Sequence, residues 1–422
     1  MTASLRTAEV IAVGSELLGW TRLDTNSLYI AERLAALGIE LKGKAVVGDD
    51  RRRLHDVFLQ SLTRSDVVVL SGGLGPTDDD VTREVIAEAL GLRLVEDPAI
   101  TASIRHRLER RGLPMPAVNT RQAMVPAGAR VLPNVHGTAP GLFIESAPKI
   151  VILLPGPPRE LRAILDALCA PGGALAARSG AERIHRVSLF TTGRSESSVE
   201  EVAQPIYSKL LQSDPPIETT ILATPGQVEL HLWTRSADEP SALAALAAGR
   251  QDLLAALGDC VFTTDGRALH VIVGEMLRAR GLRFAAAESC TGGLLLQRMT
   301  DIPGSSAFVS GGVVAYSNEL KISLLGVDPQ LLEAHGAVSE PVAAAMADGI
   351  RERTGADVCV AITGIAGPGG GTESKPVGTV VIAVQAPGHP LTVRTSLFVG
   401  GREMVRQQSA QAALDRVLRL LG

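Results

Sequence analysis

The sequence predicts an α/β protein of several domains, with a doubly wound, mostly parallel sheet in its N-terminal part. Three apolar runs, VIAVG (10–14), DVVVLSGG (66–73) and KIVILLPGPP (149–158), each end in a glycine or Pro-Gly turn. Helical patterns fill the gaps, for example at 25–38 and 81–91. Buried strands that alternate with amphipathic helices are typical of sheets that bind ligands at the carboxyl ends of their strands.

The chain has 422 residues, more than a domain with a single hydrophobic core usually contains, and its pattern of apolar and polar residues changes twice. We therefore predict three domains, at 1–172, 173–264 and 265–422. The middle one shows short alternating segments beside helical stretches, which indicates a small α+β domain without a cluster of catalytic residue types. The last one is predicted to be α/β. Its expected elements are helices at 268–281 and 401–421 and strands at 282–289, 311–317, 356–364 and 377–385.

Composition excludes several classes of protein. The net charge is −4 and aromatic residues make up 3% of the chain, which argues against a nucleic-acid partner. The four cysteines are far apart and form no CxxC pair, so we expect neither a zinc site nor disulfides, as suits a reducing cytoplasm. No run of eighteen apolar residues occurs, so we expect no membrane partner either.

The first candidate site is the segment SGGLGPTDDDVT (71–82), which follows a buried strand and precedes a helix. Its glycines allow the backbone to approach a ligand, and its amides favour an anion. Asp78, Asp79 and Asp80 then lie beside that anion, an arrangement that a divalent metal would neutralise. The alternative is an ordinary acidic cap on a helix. Loops at 14–26, 137–141 and 153–160 end at the same predicted sheet edge, which favours a site.

The motifs GSELL, DTN, SGGLGPT, DDVT, GTAPG and LLPGPP together resemble the molybdopterin-binding-like domain of the CinA (competence/damage-inducible) family, over roughly 1–170. The resemblance implies a phosphate-rich nucleotide or pterin ligand and a metal-dependent ADP-ribose pyrophosphatase. The implied metal ligands, of unknown metal identity, are Asp79, Asp80 and Glu16. The implied substrate-binding residues are Gly72, Gly73, Gly75, Thr77 and Gly156.

The second candidate site is AAAESCTGG (285–293), where Ser289 and Cys290 are adjacent. A serine needs a base to become a nucleophile, and neither His270 nor His335 has a context that suggests one. Lys321 is the alternative, because burial can hold a lysine neutral. Its competing interpretation is an ordinary surface lysine.

Three further features accompany this second site. Tyr316 precedes Lys321 by five residues and is placed to relay or orient a proton. Arg402 opens the last predicted helix and could bind a phosphate or carboxylate. The glycine-rich segment ITGIAGPGGG (362–371), with Thr363 at its strand end, offers backbone N–H groups to a phosphate or an oxyanion. A flexible turn is the alternative for that segment.

AESCTGG, AYSNELK, HGAVSEPV, ITGIAGPGGG, KPVGTV and the GxR at the last helix resemble the C-terminal domain of the CinA family, a nicotinamide-nucleotide amidase domain, over roughly 266–422. The resemblance implies hydrolysis of nicotinamide mononucleotide to nicotinate mononucleotide and ammonia, without a metal. It makes Ser289 the nucleophile, with Lys321 and Tyr316 as its activators. Thr363 and Arg402 would support the substrate or the intermediate. The implied substrate-binding glycines are Gly292, Gly293, Gly364 and Gly367.

One residue departs from the family pattern. Gly401 stands where the family commonly has an aspartate, which leaves the orientation of Arg402 less defined. The middle domain corresponds to the family's KH-like connecting domain, but its GRSES (193–197) lacks the GxxG clamp of RNA-binding proteins, so we interpret it as a spacer or dimerisation unit.

The leading hypothesis is a cytoplasmic, homodimeric, bifunctional hydrolase that acts on small nucleotides, nicotinamide mononucleotide and ADP-ribose. A second hypothesis is a protein that binds a pterin or molybdenum-cofactor precursor without turnover. A third is a competence-linked scaffold that associates with nucleic acid. Charge and composition disfavour the third.

Overall fold

A computed structural model describes residues 5–422 of the chain. The described residues divide into two compact units. The first comprises the chain up to residue 185 together with 235–242, and the second comprises 186–234 together with 243–422. Each unit is taken by itself below. Among the described residues, no helix combines the length and the apolar composition that crossing a membrane requires.

The first unit is built on a six-stranded sheet in the order β2-β1-β3-β8-β7-β6. The first four strands in that order are parallel, and β7 and β6 are antiparallel to their neighbours. A separate antiparallel pair joins β4 to β5. The elements of this unit are β1 (Thr7–Val13), α1 (Asn26–Ala36), β2 (Glu40–Val47), α2 (Arg51–Arg64), β3 (Val67–Ser71), α3 (Thr82–Ala89), β4 (Leu94–Glu96), α4 (Pro98–Glu109), β5 (Met124–Pro126), β6 (Arg130–Leu132), β7 (Gly141–Ser146), β8 (Lys149–Leu154) and α5 (Pro158–Cys169).

The sheet is covered on both faces, as its uninterrupted apolar strands require. Every residue of β3 is buried. Helices α1 and α5 pack on one face of the sheet through Ile30 and Leu165, and α2 and α3 pack on the other through Phe58 and Ile86. The predicted doubly wound, mostly parallel sheet is therefore confirmed.

The second unit contains a four-stranded sheet in the order β10-β11-β9-β12 and a five-stranded sheet in the order β14-β13-β15-β16-β17. The first of these belongs to the α+β segment, whose helices are α6 and α7. The elements that lie wholly or mostly in this unit are β9 (Arg183–Thr192), α6 (Glu196–Leu210), β10 (Glu218–Thr224), β11 (Gln227–Ser236), α7 (Glu239–Leu257), β12 (Val261–Thr263), α8 (Leu269–Ala279), β13 (Phe284–Glu288), α9 (Leu294–Thr300), β14 (Val309–Val314), α10 (Asn318–Leu325), α11 (Pro329–His335), α12 (Glu340–Thr354), β15 (Val358–Gly364), β16 (Thr379–Gln385), β17 (Thr392–Leu397) and α13 (Arg402–Leu421).

The four-stranded sheet corrects one expectation, that its region lacks catalytic residue types in a cluster. The Ser188 hydroxyl lies 2.7 Å from Nδ1 of His231, and Nε2 of that ring lies 3.2 Å from a Glu229 carboxylate oxygen. The pattern is a consequence of strand geometry, because Glu229 and His231 are two residues apart on one strand and so share a face. Polar neighbours on one sheet face pair in this way for stability.

In the five-stranded sheet, β13 lies between β14 and β15 and is parallel to both, while β16 and β17 are antiparallel to their neighbours. Apolar side chains cover both faces. One face packs against α8 and α13, and the other packs against α12. The carboxyl ends of β13 and β15 therefore meet at one edge, which is where the candidate residues Ser289 and Thr363 lie. The six-, four- and five-stranded sheets lie in the first, second and third predicted segments, but the division into three domains stays a prediction.

Candidate active sites

Ser289 directly follows the central strand β13. Its backbone N–H donates to the carbonyl of Ile362 on β15 at 2.9 Å, and its side chain is only 7% exposed. Gly292 and Gly293 then take positive φ values of 61° and 92°, which side-chain-bearing residues rarely adopt. The two glycines therefore turn the chain sharply from the strand into helix α9.

Lys321 meets this serine from helix α10. Its Nζ lies 3.1 Å from the Ser289 hydroxyl oxygen, 2.9 Å from the carbonyl oxygen of Ala315 and 3.5 Å from that of Tyr316. The lysine is 1% exposed. The expectation of a surface lysine on a helix is thereby excluded.

Burial lowers the pKa of Lys321, because it penalises the charged ammonium, while the nearby Cys290 and Glu319 oppose this shift. A lysine with a lowered pKa can accept a proton at moderate pH. Burial acts oppositely on the neighbouring thiol and raises the pKa of Cys290 to about 12. The thiol is thus held in its unreactive protonated form.

Tyr316 and Arg402 lie at the exposed side of the serine–lysine pair. Arg402 donates one N–H to the Tyr316 hydroxyl at 2.8 Å and another to the carbonyl of Gly367 at 3.0 Å. The tyrosine side chain is 56% exposed. The Tyr316 hydroxyl therefore bonds to Arg402, and Tyr316 contacts Lys321 only through its backbone carbonyl. The role of the Tyr316 hydroxyl in relaying a proton stays a prediction.

The glycine-rich segment lies beside the same edge of the sheet. Thr363 is buried and donates its hydroxyl to the carbonyl of Ala337 at 2.8 Å, so in this arrangement the hydroxyl holds a loop. A Cβ on Gly364 would lie 3.0 Å from the Cys290 sulfur and closer still to Val380. Only glycine fits there, because the segment packs tightly against the turn that carries Ser289.

Sequence reasoning missed two charged residues that contact this turn. Glu288 is fully buried, and its carboxylate accepts hydrogen bonds from the backbone of α9. Arg406 donates two N–H groups to the carbonyl of Thr291. For Glu288, one signal of a role at the site was present in the sequence: an acidic residue between an alanine run and the candidate nucleophile. For Arg406, four residues after Arg402 on the same predicted helix, the helical spacing was the signal.

In the first unit, the loops at the carboxyl ends of the parallel strands line a cavity of about 660 Å³. Among the predicted residues, Glu16, Gly72, Gly73, Gly75, Asp79, Asp80 and Gly156 all line it. Arg22 and Asp49, which were not predicted, line it as well. The loops at 14–26, 71–82, 137–141 and 153–160 therefore do converge.

Two glycines of this cavity have no room for a side chain. A Cβ on Gly72, whose φ is +106°, would lie 2.1 Å from the carbonyl oxygen of Val13. A Cβ on Gly75 would lie 2.3 Å from the Asp80 carboxylate. That carboxylate accepts the Thr77 N–H at 3.0 Å and the Thr77 hydroxyl at 2.5 Å, which places Thr77 as a support of Asp80.

The predicted metal ligands do not form a cage by themselves. Among residues 5–422, no three His, Cys, Asp or Glu side chains are grouped so that they could hold a metal ion. The polar surroundings of Asp79, the nearby Thr77 and its own backbone N–H, lower the pKa of its carboxyl group and favour the charged form. Mg²⁺ commonly takes one or two carboxylates and completes its shell with phosphate oxygens and water. The residues therefore fit a metal that arrives with a diphosphate.

These observations define a class of protein: an α/β protein with a glycine-lined cavity in one unit and a serine beside a buried lysine in the other. Residues 9–172 match a family described as "probable molybdopterin binding domain", and residues 267–421 match the CinA C-terminal domain. The chain belongs to the CinA family.

Relatives extend over the whole chain. A competence-damage inducible protein of Symbiobacterium thermophilum is 47% identical over 425 residues, which cover 98% of each chain. A CinA-like protein of Koribacter versatilis is 46% identical over 418 residues, which cover 98% of this chain and 99% of that one. Among solved structures, the competence/damage inducible protein CihA of Agrobacterium tumefaciens is 40% identical, over 36% of this chain and 93% of that one, with a TM-score of 0.35.

Proposed function

We propose that the C-terminal domain hydrolyses the carboxamide of nicotinamide mononucleotide, releasing ammonia and nicotinate mononucleotide. The observation that carries the proposal is the 3.1 Å contact between Lys321 Nζ and the Ser289 hydroxyl in a buried setting. This is the geometry that a serine nucleophile and its general base require.

The three neighbours of Nζ suit both protonation states of the lysine. A neutral amine has two N–H groups for the carbonyls of Ala315 and Tyr316, and its lone pair then faces the Ser289 hydroxyl. After proton transfer the ammonium has three N–H groups for the same three oxygens. Lys321 can therefore accept a proton and hold it without any movement of the backbone.

The reaction then proceeds by acyl transfer. Lys321 takes the Ser289 proton as the serine oxygen bonds to the carboxamide carbon, and backbone N–H groups stabilise the oxyanion. The C–N bond breaks, and the leaving nitrogen takes the proton from Lys321 and departs as ammonia. Water next attacks the acyl-enzyme with Lys321 again as the base, which gives the carboxylate and restores the serine. Arg402, held by Tyr316 and Gly367, is placed to bind an anionic part of the substrate.

The test is ammonia release from nicotinamide mononucleotide by the full chain. We expect turnover by the wild type and by Cys290→Ser, and none above background by Ser289→Ala. Retention of activity in Ser289→Ala together with its loss in Cys290→Ser would overturn the assignment of the nucleophile.

We propose as a second activity that the N-terminal domain hydrolyses ADP-ribose in the presence of a divalent metal, with water attacking the diphosphate to give AMP and ribose 5-phosphate. The support is the convergence of Glu16, Asp79 and Asp80 with the glycines of the 71–82 segment on one cavity. Glycine amides suit phosphate oxygens. Asp79 and Asp80 would hold a metal, which would neutralise carboxylate and phosphate charge together.

Incubation with ADP-ribose and Mg²⁺ or Mn²⁺ distinguishes this activity from simple binding. A hydrolase gives AMP that is lost with a chelator and in Asp79→Asn. A protein that only binds a pterin or a cofactor precursor gives no AMP under any of these conditions. We also propose that the chain is a homodimer, which light scattering during size-exclusion chromatography tests.

A further inference from the structure

Helix α9, which follows the candidate nucleophile, has no capping side chain in its own first turn, because Gly293 is its N-cap residue. The buried Glu288 carboxylate supplies that cap. It accepts from the backbone N–H of Leu295 at 3.1 Å and from that of Leu296 at 2.8 Å. These are the second and third residues of the helix, whose N–H groups have no partner within it. Glu288, the last residue of β13, therefore connects the strand before the turn 289–293 to the helix after it.

Arg406 contacts the same turn from helix α13. Its Nε and one terminal nitrogen both donate to the carbonyl oxygen of Thr291, at 3.1 and 2.8 Å. That oxygen also accepts the N–H of Leu294 at 3.3 Å. The planar guanidinium offers its donors in a fixed geometry, so this contact orients the carbonyl as well as attracting it.

A side chain of α9 also donates hydrogen bonds to α13. Arg298 on α9 donates to the side-chain oxygens of Gln407 and Gln411 on α13. Because α13 also carries Arg402, these contacts link the turn of Ser289 to the helix that presents the anion-binding arginine. The side chains of Glu288 and Arg406 hydrogen-bond to the backbone of the turn and of α9, and not to the side chain of Ser289 or Lys321.

We infer that Glu288 and Arg406 are positioning residues that hold the 289–293 turn so that the Ser289 hydroxyl faces Lys321. The inference rests on the proposed serine–lysine chemistry. Glu288 holds the turn at the start of α9, and Arg406 holds its middle carbonyl from α13. Loss of either contact frees a turn that contains two glycines, and a displacement of about 1 Å at a reacting atom can lower a rate by about 100-fold.

The experiment compares Arg406→Met, Arg406→Lys and Glu288→Gln with the wild-type full chain. We expect kcat for nicotinamide mononucleotide to fall by roughly 10- to 100-fold in Arg406→Met, with KM changed less than about threefold, since an orientation effect lowers kcat. Arg406→Lys keeps the positive charge but has only one donor nitrogen, so its kcat should lie between those of Arg406→Met and the wild type. In Glu288→Gln, an NH2 group replaces one of the two carboxylate oxygens. Its N–H faces a backbone N–H of α9 and cannot accept a hydrogen bond from it, so kcat should also fall.

A second readout does not depend on the substrate. Phenylmethylsulfonyl fluoride sulfonylates an activated serine oxygen with loss of fluoride, and mass spectrometry locates the modified residue. We expect the rate of Ser289 modification to fall in parallel with kcat. Arg280→Met, at the exposed residue that follows α8, and Glu352→Gln, at an exposed position of α12, are matched controls, and both should leave the two rates unchanged.

The outcomes separate this inference from the proposed function. If the wild type is active and both Arg406→Met and Glu288→Gln keep its kcat and its labelling rate, the positioning role is overturned and the proposed amidase activity is not affected. An inactive wild type whose Ser289 is not labelled would overturn the serine–lysine site itself. If Arg406→Met does not fold, Arg406→Lys decides, because a kcat equal to the wild-type value in that variant contradicts the inference.

Discussion

Replacing Lys321 with methionine removes the amine and keeps a side chain of similar length in the same buried position. Activity should fall, because Ser289 loses the group that accepts its proton. A positioned general base contributes typically 10²- to 10⁴-fold to a rate, so we expect a loss of at least about 10²-fold in kcat.

The same substitution removes the free-energy cost of burying the Lys321 ammonium in the folded state. Burial lowers the pKa of Lys321, and every unit of lowering costs the folded state about 1.4 kcal/mol when the pH is below the folded pKa. Methionine carries no such cost. It does leave the carbonyl of Ala315 without its 2.9 Å partner, which costs about 1 to 3 kcal/mol if water does not replace it.

The sign of the pH dependence follows from proton uptake. Between the lowered folded pKa and the ordinary value of about 10.4, the unfolded chain binds the Lys321 proton and the folded chain does not. The contribution of Lys321 to stability therefore rises with pH across that window and is constant below it. The advantage of Lys321→Met should accordingly shrink as the pH rises.

Urea unfolding of both proteins at several pH values, together with ammonia assays, measures these effects. Our reasoning is refuted if Lys321→Met retains kcat within a few-fold. It is also refuted if the stability difference from the wild type grows in favour of methionine as the pH increases towards 10. Lys209→Met, at an exposed position of α6, is a control for loss of a lysine.

Three other substitutions test separate parts of the account. Cys290→Ser should retain most amidase activity, because a buried thiol with a pKa of about 12 supplies no thiolate; a loss above about 100-fold would contradict this. Tyr316→Phe removes the 2.8 Å partner of Arg402 and should raise KM more than it lowers kcat, whereas a pure kcat effect would indicate that the hydroxyl relays a proton. Gly72→Ala should lower the urea midpoint of the N-terminal unit, because its Cβ would meet the Val13 carbonyl at a positive φ; an unchanged midpoint would exclude that close approach.

Local patterns were enough to predict the architecture of this chain. The run DVVVLSGG has no polar alternation, and a strand without alternation must be buried on both faces, which the five buried residues of β3 confirm. Helix patterns between such runs then imply crossover connections and a parallel sheet.

Contacts between distant strands could not be predicted in the same way. Ser289 and Lys321 are 32 residues apart, and they meet because β14 lies beside β13 and leads into α10. No spacing in the sequence shows that neighbour relation, so the residues offered Lys321 only as a candidate base, and the family resemblance then implied its pairing with Ser289. The Ser188–His231 contact was missed for the same reason, since it depends on which strands of a sheet are adjacent.

Buried charges were the other failure of prediction. Glu288 was interpreted only as part of a strand end, because an acid in a sequence gives no sign of its burial unless its partners are known. Its partners are backbone N–H groups seven and eight residues later, which any sequence would offer. The importance of Glu288 therefore becomes visible only when the turn between β13 and α9 has been formed.

Ammonia release from nicotinamide mononucleotide, measured for the wild-type full chain and for Ser289→Ala, tests the central claim most directly. We predict steady turnover by the wild type and a decrease of about 10⁴-fold or more in the variant, as is usual when an activated serine is removed. Equal ammonia release by both proteins, with Ser289→Ala folded, would contradict it.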